Sequence, residues 1–83
     1  MGSDLMPMAF VFMNIDAGSE TEILQSLRQV PEVKESYFVY GVYDCVAKIQ
    51  TDSMDRLKEV ITWKVRRLDK IRSTLTTIVS EGK

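Results

Sequence analysis

No histidine occurs in the 83 residues of this chain, and that absence removes more chemistry than any single residue supplies. Ser–His and Cys–His nucleophile pairs, imidazole general bases and His-ligated metals are all excluded. One cysteine, Cys45, excludes an intrachain disulfide and any zinc site built from two or four cysteines. A lone thiol fits a reducing compartment, so a cytoplasmic location is expected. Net charge is nearly missing as well: eleven Lys and Arg against twelve Asp and Glu leave −1. Direct nucleic-acid binding through a general electrostatic field is therefore not expected. Long apolar runs are also lacking. The longest, Leu5 to Met13, is broken by Pro7 and stops at Asn14, well short of the roughly 20 residues that span a bilayer. It has no positively charged leader, so no signal peptide and no membrane association are expected. Met6 stands where a myristoylation signal needs Ser or Thr.

What remains is an ordinary globular composition, 45% hydrophobic and 28% charged. A chain of this length makes one domain and buries only roughly 60–65% of the surface its unfolded form exposes. Oligomerisation is a reasonable way to add burial. Residues 1–7 are expected to be a disordered start or an expression remnant, 8–80 a single domain, and 81–83 a tail.

Met8 to Ile15 is apolar at nearly every position, which reads as a strand covered on both faces. The chain's own helices would supply one cover and a second subunit the other. Ser19-x-x-Glu22 reads as a capping box, and Ile23, Leu24, Leu27 and Val30 then recur at helical spacing. Pro31 stops that helix. Val33 to Tyr40 alternates as a strand, with Tyr37 and Val39 on one side and Phe38 and Tyr40 on the other. A further strand runs from after Gly41 to about Gln50. Thr51-Asp52-Ser53 offers N-caps for a second helix. Its inner stripe is Met54, Leu57, Ile61, Val65 and Leu68, with Val60 and Trp63 on the shoulder. Asp69-Lys70 breaks it, and Ile71 to Val79 is a final strand. The order β-α-β-β-α-β predicts an α+β, ferredoxin-like sandwich with two helices on one face of a four-stranded antiparallel sheet. The other face is too apolar to be left in water, so a dimer packed sheet against sheet is expected.

The hairpin Tyr37-Phe38-Val39-Tyr40-Gly41-Val42-Tyr43-Asp44-Cys45-Val46-Ala47-Lys48-Ile49 carries the candidate site. Exposed turn N–H groups can bind a carboxylate, a glycine lets another molecule approach the backbone, and Asp44 can pair with an ammonium. Together they make a cradle for an amino-acid zwitterion. The plainer reading gives Gly41 only the positive φ of a turn and Asp44 only a capping role. Thr74, Thr76 and Thr77 suit a strand by propensity, and a Thr76 hydroxyl could complete a polar pocket. Residues 56 to 72 hold seven of the eleven basic side chains, Arg56, Lys58, Lys64, Arg66, Arg67, Lys70 and Arg72. That cluster reads as a nucleic-acid footprint or, more ordinarily, as a solvated helix face or the complement of an acidic patch. An RNA-recognition sheet shares the element order, but the basic-Gly-aromatic-Gly signature is missing. No carboxylates pair with evident burial, so no catalytic residues, cofactor or metal site can be named.

Val39 to Ile49, followed by Ile71 to Val79, resembles the effector-binding domain of the Lrp/AsnC family of feast/famine transcriptional regulators. The resemblance covers residues 8 to 80, and its most specific element is the Gly-x-Tyr-Asp turn feeding an apolar strand. It implies a βαββαβ domain that dimerises through its sheets and assembles further, commonly into an octameric ring, with an amino-acid effector held between dimers. Position by position, Tyr40, Gly41, Val42, Tyr43 and Asp44 would form the effector cradle, and Thr76 would line the same cavity from a facing strand. The family's regulators carry an N-terminal helix-turn-helix domain. Nothing of that kind precedes Met8, which implies a stand-alone form whose partners include full-length regulators of the family. Where the family has a proline and a glycine before the last strand, this chain reads Asp69-Lys70. Two other readings share the fold order: a small enzyme on a dimeric α+β-barrel scaffold, marked by a deep cavity at Tyr37 or Tyr43, and an ACT-like regulatory module.

Overall fold

The computed structural model describes residues 6–79; most of the expected disordered start, and the tail, lie outside the described residues. The elements run β1 (Met8–Ile15), α1 (Glu20–Arg28), β2 (Val33–Phe38), β3 (Cys45–Gln50), α2 (Met54–Val60), a π-helical turn (Ile61–Val65) that continues α2, and β4 (Ile71–Val79). The sheet order is β2-β3-β1-β4 with every neighbour antiparallel. This is the expected ferredoxin-like α+β arrangement.

β1 shows how the layers form. Ala9, Val11, Met13 and Ile15 are buried, while Met8, Phe10, Phe12 and Asn14 alternate onto the other face and are only half-buried. A nearly all-apolar strand is thus covered on one face by its own chain and left open on the other. The covered face joins Cys45, Ala47 and Ile49 of β3 to Ile23 and Leu27 of α1 and to Leu57, Val60, Ile61 and Val65. Burying one side chain of Leu or Ile size contributes about 1.5–3 kcal/mol, so this cluster is the main source of stability.

Three local expectations are corrected. The Ser19–Glu22 capping box does not form: the Ser19 hydroxyl donates to the Asp16 carbonyl, and Glu22 accepts from Lys70 Nζ at 3.0 Å. Val60 lies in the core, not on a shoulder, and Met54 is exposed at the start of α2. Leu57, Val60 and Ile61 form one i, i+3, i+4 stripe. The π turn, closed by Arg66 N–H to the Ile61 carbonyl at 2.9 Å, adds a residue per turn and leaves Trp63 outside under the Arg67 guanidinium, 4.9 Å from its ring centre. Finally, β2 ends at Phe38, two residues before Tyr40, so residues 39–44 form a loop rather than a tight turn. Val39 N–H to the Asp44 carbonyl closes it at 2.9 Å.

The expected Ser53 cap is present, its hydroxyl accepting Arg56 N–H at 3.1 Å, and β4 has the expected bounds. Lys70, before β4, holds φ at +73°, a left-handed conformation that costs a side-chain-bearing residue about 1 kcal/mol. Its carbonyl accepts Asp16 N–H at 2.8 Å, tying the end of β1 to the start of β4.

Candidate functional site

The open end of the sheet, where β1 and β2 stop and β3 and β4 begin, is organised around Asp44. Three hydrogen bonds fix this residue. Its N–H donates to the Met13 carbonyl at 2.9 Å, its carbonyl closes the loop through Val39, and its Oδ2 accepts Ile15 N–H at 3.1 Å. Its backbone and carboxylate are therefore set in place while the side chain still faces solvent.

Two cavities flank it. One, of about 400 Å³, is lined by Asn14, Ile15, Asp44, Arg72 and Ser73. The other, of about 500 Å³, is lined by Ile15, Ala17, Glu20, Phe38, Val39, Tyr40, Asp44 and Arg72. Both lie within the size range of small-ligand sites, roughly 300–1,000 Å³, and they share Ile15, Asp44 and Arg72.

Arg72 is there because the strand is irregular. Asn14 pairs with Ser73 and Ile15 with Ile71, so Arg72 is an extra residue in β4 with no partner on β1. Such a bulge bends the strand and re-aims a side chain. Arg72 Nε lies 3.9 Å from Asp16 Oδ1, and its side chain is 71% exposed.

The expected site residues separate. Tyr40 and Asp44 meet in the larger cavity. Gly41 and Val42 sit at the exposed loop tip, Gly41 with φ +144° and nothing within 4 Å of a would-be Cβ. That conformation favours glycine, while none of this chain's own atoms crowds the position. Tyr43 turns to the open sheet face, its ring 5.8 Å from that of Phe12 and tilted by 44°. Thr76 pairs with Val11, so it shares the helix-covered side of the sheet, about 13 Å along the strand from Arg72 at ~3.3 Å per residue. It lines neither cavity. Ile15, Glu20, Phe38 and Arg72 were not among the expected residues. Arg72 stood in the basic cluster, but only the strand register brings it to Asp44.

Cys45, next to Asp44, is buried, and its thiol is pushed up to about 11 by that burial and then by the Asp44 charge. It stays protonated at neutral pH and is a packing group, not a nucleophile. Among the described residues no three of His, Cys, Asp and Glu are placed to hold a metal, and no helix is long and apolar enough to cross a membrane.

A βαββαβ sandwich with one open apolar face, and a cavity at the sheet end lined by Asp44 and Arg72, is a ferredoxin-like α+β domain. A model of the Lrp/AsnC ligand-binding domain matches residues 8–82, and the chain belongs to that family. It is similar to the HTH-type transcriptional regulator FL11 of Pyrococcus furiosus, 32% identical over 72 residues, which cover 87% of this chain and 47% of FL11. It is also similar to the regulatory protein AsnC of Escherichia coli, 38% identical over 59 residues, which cover 71% of this chain and 39% of AsnC. The chain thus spans less than half the length of these curated relatives. The crystal structure of FFRP-DM1 superposes with a TM-score of 0.84 at 43% identity, covering 89% of this chain and 99% of that one.

Proposed function

We propose that this chain is an amino-acid-sensing and assembly domain of transcription regulation, acting in the cytoplasm and carrying no reaction of its own. The observation that bears most weight is the Asp44 carboxylate, oriented by Ile15 N–H at 3.1 Å at the mouth of a cavity of ligand size. A charged group held this way receives an ammonium without further ordering cost. The open sheet face supplies the second half of the function. Phe12 of β1 lies between Val46 of β3 and Leu75 of β4, with Tyr37 and Phe10 beside them, and two such faces would cover each other in a dimer. The exposed apolar loop tip, Tyr40 and Val42, suits contact between dimers in a larger ring.

The mechanism is linkage. An amino acid that binds one assembly more tightly than another shifts the balance by its differential affinity and by no more. The enzyme alternative finds no support in the tyrosines it needs: Tyr37 Oη donates to Glu35 Oε1 at 2.6 Å on the exposed sheet face, and Tyr43 packs on Phe12.

A thermal-shift screen of the chain against the twenty amino acids tests this reading. A ligand at 100 times its Kd adds about 2.7 kcal/mol, which for a domain of this size raises Tm by about 10 °C or more. The expected result is a hit that Asp44→Ala abolishes. Silence from all twenty would contradict the proposal.

A further inference from the structure

We infer that Arg72 is the carboxylate anchor of this site and that the ligand it selects is an α-amino acid with a large, uncharged, apolar side chain. The inference rests on the effector reading above and adds to it a residue and a ligand class.

Among the described residues Arg72 is the one basic residue lining either cavity, and Asp44 lines both. An anion anchor and a cation anchor on shared walls match the two ends of a zwitterion, with the planar guanidinium offering a carboxylate two parallel hydrogen bonds. The bulge gives this arrangement its cause. In regular register Arg72 would face a partner on β1; skipped between Ser73 and Ile71, it is released toward the cavity. Its present contact with Asp16, 3.9 Å between exposed side chains, holds it weakly and leaves the guanidinium free for a better partner.

The remaining walls choose the side chain. Ile15, Ala17, Phe38, Val39 and Tyr40 make most of the larger cavity, and Phe38 and Tyr40 are exposed to solvent there. Covering such surface favours an apolar ligand group. Glu20 and Asp44, which also line it, repel an acidic side chain, and a hydroxyl or amide facing the apolar walls would lose its water partners.

Isothermal titration of the chain with L-leucine, L-phenylalanine, L-serine, L-aspartate and L-lysine, and with L-leucinamide, which lacks the carboxylate, tests the inference. Leucine and phenylalanine should bind most tightly, and leucinamide at least tenfold more weakly than leucine. Arg72→Gln should weaken leucine at least tenfold and erase the difference between leucine and leucinamide. Arg72→Lys, which keeps the charge and loses the fork, should fall between. Circular dichroism confirms that both variants are folded, as substitution of so exposed a side chain predicts. Unchanged leucine affinity in Arg72→Gln would overturn the anchor. Tighter binding of serine, aspartate or lysine would overturn the ligand class and leave effector sensing intact. No heat and no thermal shift with any amino acid would remove the effector reading itself, and this inference with it.

Discussion

The two ends of the sheet hold similar materials in different states. At the end where β1 begins, a cavity of about 460 Å³ is lined by Glu32, Arg56, Lys34 and Asp52 among others. There the opposite charges have already met: Arg56 reaches Glu32 Oε2 at 2.7 Å and Glu59 Oε1 at 2.9 Å, and Lys64 Nζ lies 3.8 Å from Glu32 Oε1. At the other end Asp44 is bonded to a backbone N–H, and among the described residues Arg72 pairs loosely with Asp16 at 3.9 Å. The first arrangement is a staple fastening α2 and its π-helical extension to the start of β2. The second leaves a cation and an anion on shared walls with room between. The first end pairs its opposite charges with each other, although Glu32 Oε1 has no hydrogen-bond donor; the second leaves its cation and anion for a ligand to pair.

The largest test of this contrast pairs two arginines. Arg56→Ala removes two carboxylate contacts and leaves Glu32, with a side chain only 18% exposed, short of its main partner. Leaving a half-buried charge underpaired should cost about 1–3 kcal/mol, read as a lower midpoint in urea. Arg72→Ala should change stability by less than about 0.5 kcal/mol while abolishing amino-acid binding. If Arg72→Ala unfolds the chain and Arg56→Ala does not, the assignment of the two ends is reversed.

A smaller effect is expected at Lys70, which turns the chain into β4 beside the open end. Lys70→Val puts a β-branched side chain at φ +73° and should cost about 1–2 kcal/mol. Lys70→Gly fits that conformation but makes the unfolded chain more flexible, so it should stay within about 0.5 kcal/mol of the parent. Equal losses in both variants would show that the Lys70–Glu22 contact, not the backbone, matters at this turn.

The smallest effect is a pH dependence confined to the stapled end. The hydrogen bond from Arg56, ahead of an opposing burial effect, holds Glu32 below the ordinary carboxylate value of 4.5. A folded-state value below the unfolded one means that the contribution is fully present above pH 4.5 and is lost as pH falls through the folded value. Glu35, lowered first by the Tyr37 hydroxyl and then by Lys48, adds in the same direction from an exposed site. Melting temperature should therefore fall on acidification below about pH 5, less steeply in Glu32→Gln. An unchanged acid slope in that variant would assign the effect to other carboxylates.

Much of this architecture was legible because it rests on short-range chemistry. The element order, Pro31 as a stop, Ser53 as a cap and the bounds of β4 follow from periodicity and local hydrogen bonding. The family resemblance, carried by the turn and the last strand, held over residues 8–82. What escaped depended on distant partners. Ser19 and Glu22 were drawn away from each other by Asp16 and Lys70, the latter 48 positions along the chain. A π turn decided which α2 residues reach the core, and no single side chain announces one. Of the expected site residues, Asp44 and Tyr40 line one cavity, and the loop that carries both is local in sequence. Arg72 was hidden because its position depends on the register between β1 and β4, and Thr76, expected from the resemblance to line the same cavity, lies on the helix-covered side of the sheet. Gly41 illustrates the boundary: its positive φ was readable as a turn requirement, whereas its role in a cradle depends on a partner outside the chain.

Sedimentation velocity of the parent chain and of Leu75→Lys, each with and without the amino acid that raises Tm most, tests the central claim most directly. The account predicts a parent at least dimeric whose distribution of species shifts with ligand, and a folded Leu75→Lys monomer whose open sheet face can no longer be covered. A parent that sediments as a monomer, or as one assembly indifferent to every amino acid, would contradict it.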